Sequence, residues 1–231
     1  MILVNKTLLI LAIGFFTTFW ANFSEPKLFV VGDSISMQYG PYLEQYLEGV
    51  YAYDRKREEP SNPESTEKPK YANGGDSDRV LAYLQNKLKA PDFRPDVLLI
   101  NCGLHDIKTD AQSGKKQVGL EAYKQNLEQI YDLVAKKGIK MVWVRTTPVD
   151  DTMHNSKQQT FYRYAADVAK YNEVADEIFK SRNVPIIDLH QFTLNLGDNL
   201  FKDHVHFGEE TRAKQGAFIA GFLSNLSLVD N

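Results

Sequence analysis

Leu28-Phe29-Val30-Val31-Gly32-Asp33-Ser34 is the stretch whose reading decides the fold. Its four apolar residues run without alternation, the pattern of a strand covered on both faces. They stop at a glycine, an acid and a hydroxyl. A helical stripe then begins over Ser36 to Gly49, in Met37, Tyr42, Leu43, Tyr46 and Leu47. A strand that passes directly into a helix leaves its last polar residues in the crevice at the carboxyl end of an open α/β sheet. A serine there can rest its oxygen near a helix N-terminus, whose partial positive charge favours a developing anion. Taken alone, Gly-Asp-Ser is a weak motif, because a serine that caps a turn or a helix reads the same way.

The same reading extends along the chain. Val97-Leu98-Leu99-Ile100-Asn101-Cys102 is a second continuous strand, and it stops at Gly103-Leu104-His105-Asp106. Further strands are expected at Val50–Tyr53, Lys140–Val144 and Val184–Asp188. Helical periodicity fills the gaps: a helix opening at Ser77, then Gly119–Lys137, Gln158–Ser181 and Glu210–Leu226. Residues 54–70 hold only charged residues, prolines and small polar residues, and read as a solvated surface insertion. Strands alternating with long helices imply parallel pairing through right-handed crossovers. The expectation is one α/β domain over residues 25–231, a three-layer α/β/α sandwich of the flavodoxin-like kind with about five parallel strands.

Composition narrows the classes. A hydrophobic fraction of 43% against 25% charged residues is the balance of a soluble globular chain. A net charge of −3, spread along the chain, gives no basis for binding nucleic acid. Cys102 is the single cysteine, which excludes an internal disulfide and a structural zinc built on cysteines. Residues 1–24 differ: Lys6 precedes an apolar run from Leu8 to Trp20, the core length of an export leader and short for a membrane span. Its main readings are a cleaved leader and an uncleaved anchor, both implying a periplasmic or extracellular location; a buried N-terminal helix is the third, and the lack of polar periodicity counts against it. Membrane contact is expected only through that segment.

Four polar clusters follow strands and so collect at one sheet edge: Ser34, the Asn73-Gly74-Gly75-Asp76-Ser77 stretch, His105, and Asp203-His204-Val205-His206 before the last helix. A serine nucleophile needs a base, and the base needs an orienting acid. Asp203-x-x-His206 supplies both if one turn of chain brings carboxylate and imidazole together. Acyl transfer also needs donors for the oxyanion. The N–H of Ser34, the N–H of Gly75 and the His105 side chain are the candidates.

In this order the clusters resemble the four blocks of the SGNH (GDSL) hydrolases, over residues 27–226. The resemblance implies Ser34 as nucleophile, His206 as base and Asp203 as its partner. It implies an oxyanion hole from Ser34, Gly75 and residue 105, the same fold, esterase or lipase activity and no cofactor. One departure stands out: the third block of the family reads Gly-x-Asn-Asp, and here His105 replaces the asparagine. Imidazole can donate through a ring nitrogen in the right tautomer, more strongly when protonated, or it can simply pack. The second block is compressed, so Gly74 is the alternative donor to Gly75.

Rival readings concern the same residues. Gly-Asp-Ser occurs again at 75–77, where Ser77 reads as the N-cap of the next helix. Asp203, His204, His206, His105 and Asp106 could instead be ligands of a metal-dependent hydrolase, a reading that leaves Ser34 without a role. His204 reads as packing or solvent-facing, His154 and His190 as structural or exposed, and Cys102 as a small core residue. The functional expectation is an exported serine esterase removing a small acyl group such as acetyl from a carbohydrate. A lipase or thioesterase of the same fold and a non-catalytic glycan-binding protein are the alternatives.

Overall fold

The opening apolar run becomes β1 (Lys27–Val31), followed after two residues by α1 (Ser34–Tyr46). The computed structural model describes residues 24–58, 69–157 and 160–228. The leader or anchor expected over 1–24 lies, but for Ser24, outside the described residues, as does most of the expected insertion. The chain continues through β2 (Ala52–Arg55), α2 (Ser77–Lys87), β3 (Val97–Ile100), β4 (Thr109–Asp110), α3 (Leu120–Ala135) and β5 (Lys140–Val144). Then come α4 (Asp151–Lys157), β6 (Phe161–Tyr162), α5 (Ala165–Ser181), β7 (Ile186–Ile187), α6 (Leu189–Leu194) and α7 (Glu209–Ser224).

The five-stranded sheet has the order β2-β1-β3-β5-β7, and every pairing in it is parallel. Leu28 pairs with Val97 and Val31 with Ile100, so the two expected central strands lie side by side. Their apolar residues, from Leu28 to Val31 and from Val97 to Ile100, are at most 8% exposed, as continuous apolar strands between two helical layers should be. α1 packs on α7, and α3 packs between α2 and α5. No helix of the described residues is long and apolar enough to cross a membrane.

Three sequence expectations are corrected. The second strand runs two residues later than Val50–Tyr53, so the expected solvated loop begins with a strand end at Arg55, which is only 1% exposed. Arg55 is buried because α1 offers it partners: Nη1 donates to Ser36 O at 2.6 Å and Nη2 to Ser36 Oγ at 2.9 Å. Gly40 leaves the room, since a Cβ there would sit 2.8 Å from Arg55 Nη1. The helix expected from Gln158 to Ser181 starts, among the described residues, at Ala165, and residues 158 and 159 lie outside them. Before it, Phe161 and Tyr162 pair antiparallel with Asp110 and Thr109 in a small ribbon beside α4.

The third correction concerns the cap expected at Ser77: in both Gly-Asp-Ser copies the acid, not the serine, is the cap. Asp33 accepts from Ile35 N at 2.9 Å and Ser36 N at 3.4 Å, and Asp76 accepts from Arg79 N at 3.0 Å. A carboxylate satisfies the orphan N–H groups of a first turn and suits the positive end of the dipole. Each serine is therefore the first residue of its helix. They then part: Ser34 is partly exposed, whereas Ser77 is buried. Ser77 Oγ accepts from Asn126 Nδ2 at 2.9 Å, and its N–H donates to Asp106 Oδ1 at 2.9 Å.

Arg55→Ala should cost about 2–4 kcal/mol of stability, through the vacated volume and the lost charge-assisted bonds. Ser36→Ala should cost about 1 kcal/mol. Urea titration followed by circular dichroism measures both.

Candidate active site

The last cluster sits in a narrow loop closed by a bridge between Phe201 and Phe207. Inside it, Asp203 Oδ1 accepts from Val205 N at 2.9 Å and His206 N at 2.8 Å. Its other oxygen, Oδ2, meets His206 Nδ1 at 2.9 Å. His206 Nε2 in turn lies 2.9 Å from Ser34 Oγ, a residue 172 positions earlier in the chain. Desolvation pulls the Asp203 pKa upward, but the two backbone N–H groups and the His206 ring outweigh it and bring it down to about 2. The carboxylate therefore stays ionised until the pH falls towards that value. A ring nitrogen facing a carboxylate keeps its hydrogen, so Nδ1 carries the proton and Nε2 offers a lone pair to the Ser34 hydroxyl. All three residues are partly exposed and within reach of a ligand.

The other expected residues are more varied. Ser34 N, at the first helical position, is among the donors an α-helix cannot satisfy internally. Gly74 N–H donates to Gly32 O at 2.7 Å, which anchors the second cluster to the end of β1. Gly75 N–H donates to Asn73 Oδ1 at 2.8 Å, so the expected oxyanion donor is held by a side chain in the free protein. His105 Nε2 lies 3.4 Å from Asn73 Nδ2. Burial, with Lys108 and Arg163 nearby, brings the His105 pKa down to about 4, so the ring is uncharged at neutral pH and not the protonated donor weighed above.

The third cluster is held from behind. Gly103, at φ 142°, passes so close to Thr146 that a Cβ would lie 2.4 Å from its Oγ1. Asp106 accepts Ser77 N–H, while its carbonyl accepts Val118 N–H at 3.1 Å. Burial pushes its pKa up to about 7. Cys102 is buried, and His190 Nδ1 lies 2.9 Å from Thr146 O. The alternative metal ligand set is not assembled: among the described residues no three His, Cys, Asp or Glu side chains are placed to share an ion. Both ring nitrogens of His206 already face protein partners.

Of three further residues here, Arg163 and Asn73 escaped the sequence reading, while His154 was read as structural or exposed. Arg163, only 5% exposed, follows β6 and donates through Nε to Leu104 O at 2.7 Å, beside His105. Its guanidinium lies 5.0 Å from the Phe161 ring centre. Among the described residues it has no carboxylate at ion-pair distance; burial lowers its pKa to about 10, and the buried Asp33 pulls the other way. His154 is fully buried, edge-on to His204 at 4.3 Å, and among the described residues neither of its ring nitrogens makes a hydrogen bond of good geometry. Burial, Arg163 and His204 bring its pKa down to about 4. Asn73 is the third, through its two contacts with Gly75 and His105. Arg163 gave no signal because its neighbourhood reads as helix, and Asn73 none because a turn asparagine is ordinary.

Comparison with known proteins agrees with this architecture. The family model described as "GDSL-like Lipase/Acylhydrolase family" matches residues 30–214. No curated protein sequence matches the chain. Among solved structures, the acetyl xylan esterase AlAXEase superposes with a TM-score of 0.62 at 16% identity, over 85% of this chain and 98% of that one. A lipase/acylhydrolase from Enterococcus faecalis gives 0.62 at 16%, over 87% and 96%. Axe2, an acetylxylan esterase from Geobacillus stearothermophilus, gives 0.60 at 17%, over 90% and 97%. At these identities the likeness is one of fold.

His154 provides a test of the buried imidazoles. Its folded pKa of about 4 lies below the ordinary 6.5, so the unfolded chain binds the proton first as the pH falls, and stability is lost across that window. His154→Phe removes this contribution. Whatever its cost at about pH 7, the variant should gain on wild type by about pH 4.5, as measured by urea unfolding at both values.

Proposed function

This chain belongs to the GDSL-like lipase/acylhydrolase family, and from that premise we propose that it is a serine esterase acting through an acyl-enzyme on Ser34. The observation that carries the reading is the 2.9 Å contact of His206 Nε2 with Ser34 Oγ, continued by the 2.9 Å contact of His206 Nδ1 with Asp203. In the first step Ser34 Oγ attacks the acyl carbonyl while Nε2 accepts the hydroxyl proton. The imidazolium formed is stabilised by Asp203, which stays ionised. The new oxyanion is met by Ser34 N–H, by His105 and by Gly75 N–H, the last shared with or released from Asn73 Oδ1. The tetrahedral intermediate collapses, the C–O bond to the alcohol breaks, and His206 returns the proton to the leaving oxygen. Water then repeats the cycle: it gives a proton to Nε2, adds to the acyl carbon and frees the carboxylic acid, and Ser34 regains its hydrogen.

We take the substrate to be a small acyl ester, acetyl in the first instance, on a carbohydrate. Support comes from the two similar structures described as acetyl xylan esterases, and from the export-type segment around Leu8–Trp20, which suits an extracellular or periplasmic polymer. The step needs no metal or organic cofactor, because nucleophile, base and oxyanion donors all come from the chain.

The test is a series of p-nitrophenyl esters of increasing chain length, run beside acetylated xylo-oligosaccharides. Acetate should be hydrolysed best. Ser34→Ala and His206→Ala should each lower kcat about 10⁶-fold, and Asp203→Asn by about 10⁴-fold, with the fold unchanged by circular dichroism. A preference for long acyl chains would move the assignment to a lipase. Activity that survives Ser34→Ala but is lost to a chelator would overturn the serine mechanism.

A further inference from the structure

Asn73 has no part in the relay of Ser34, His206 and Asp203, yet its carboxamide touches both remaining oxyanion candidates. Its orientation is set by Gly75: the N–H at 2.8 Å must meet an oxygen, so the Asn73 oxygen faces Gly75 and Nδ2 faces His105. Nδ2 has only hydrogens to offer, and it stands 3.4 Å from His105 Nε2. That ring nitrogen must therefore present its lone pair. In an uncharged imidazole the hydrogen then sits on Nδ1. We infer that Asn73 is a positioning residue that fixes His105 in the Nδ1–H tautomer, and so turns it into a hydrogen-bond donor for the oxyanion.

The chemistry of the two side chains explains why this tautomer is the useful one. Nδ1 of histidine is bonded to Cγ, as the amide nitrogen of asparagine is. An Nδ1–H group thus stands as many bonds from the backbone as the carboxamide donor that the Gly-x-Asn-Asp pattern carries at this place. The Nε2–H tautomer would instead set its hydrogen against those of Asn73. Burial above all, with the charges of Lys108, Arg163 and Arg79 opposed by Asp76, favours the uncharged form of the ring, in which tautomers are defined. Arg163 also holds Leu104 O at 2.7 Å, which steadies the backbone beside the ring.

This inference rests on the proposed acyl transfer for its catalytic meaning, but the tautomer itself is a property of the resting protein. Nitrogen-15 NMR of the full chain, labelled in histidine, reads it directly, with His105→Asn assigning the signal. The expected result near neutral pH is a protonated shift for Nδ1 and an unprotonated one for Nε2; the reverse, or an averaged pair, overturns the inference. Asn73→Asp can still accept Gly75 N–H but has no hydrogen for Nε2, so the spectrum should change to Nε2–H or to imidazolium. With that change kcat should fall about 10²-fold while KM stays within about twofold, as when one oxyanion donor is lost. In a His105→Asn background, where no tautomer exists, the same substitution should cost only a few-fold. An equal loss in both backgrounds would assign Asn73 to Gly75 alone and overturn the inference. Activity surviving Ser34→Ala would remove the acyl-transfer reading and leave the tautomer result standing.

Discussion

The site depends on how abruptly β1 becomes α1. Only Gly32 and Asp33 separate the last strand residue from the first helical one, and Asp33, 2% exposed, satisfies the first turn through Ile35 N and Ser36 N. Burial raises its pKa, and the two N–H groups, Arg163 and His206 act against that rise. A carboxylate there is tolerable because the helix N-terminus offers both donors and a favourable dipole. With the acid as cap, the serine becomes the first helical residue and its hydroxyl is left for His206. Ser36 Oγ donates to Asp33 O at 2.6 Å and accepts from Arg55, so the buried guanidinium of β2 braces the same turn.

Around that fixed point the polar loops are held by bonds to backbone as much as to each other. Gly74 is tied to Gly32, Asp106 to Ser77 and Val118, and Leu104 to Arg163. The positive charge of Arg163 and the exclusion of water keep His105 and His154 uncharged, whereas His206 faces a carboxylate. Imidazoles from three separate segments of the chain thus meet different surroundings, two of them buried beside positive charge and one set against a carboxylate.

Legibility from sequence followed the size of the physical signal. The β1 and β3 runs were readable because a strand covered on both faces must be continuously apolar, and the alternation with helices forced parallel order. Arg55 misled because a charged residue signals solvent unless a partner and a space exist, and both Ser36 and the room at Gly40 come from another element. The 160–164 stretch misled because Phe161 and Tyr162 fit a helical stripe as well as a two-residue ribbon. The cap was assigned to the serine in the second Gly-Asp-Ser, although an aspartate one position earlier serves equally.

The residue types and their order, a Gly-Asp-Ser after a buried strand, a histidine after a second one and Asp-x-x-His before a last helix, are local and were settled by the sequence. So were the fold class and the family likeness, since hydrophobic period and block order are written along the chain. That Ser34 Oγ and His206 Nε2 meet at 2.9 Å, which end of Asn73 meets His105, and that Arg163 lies buried beside Leu104 were decided only by the tertiary structure. These depend on atoms from distant segments meeting within about 3 Å, where hydrogen-bond donors and acceptors must match. Hydrophobic patterning sets which face of an element is buried; it carries no information on such pairings.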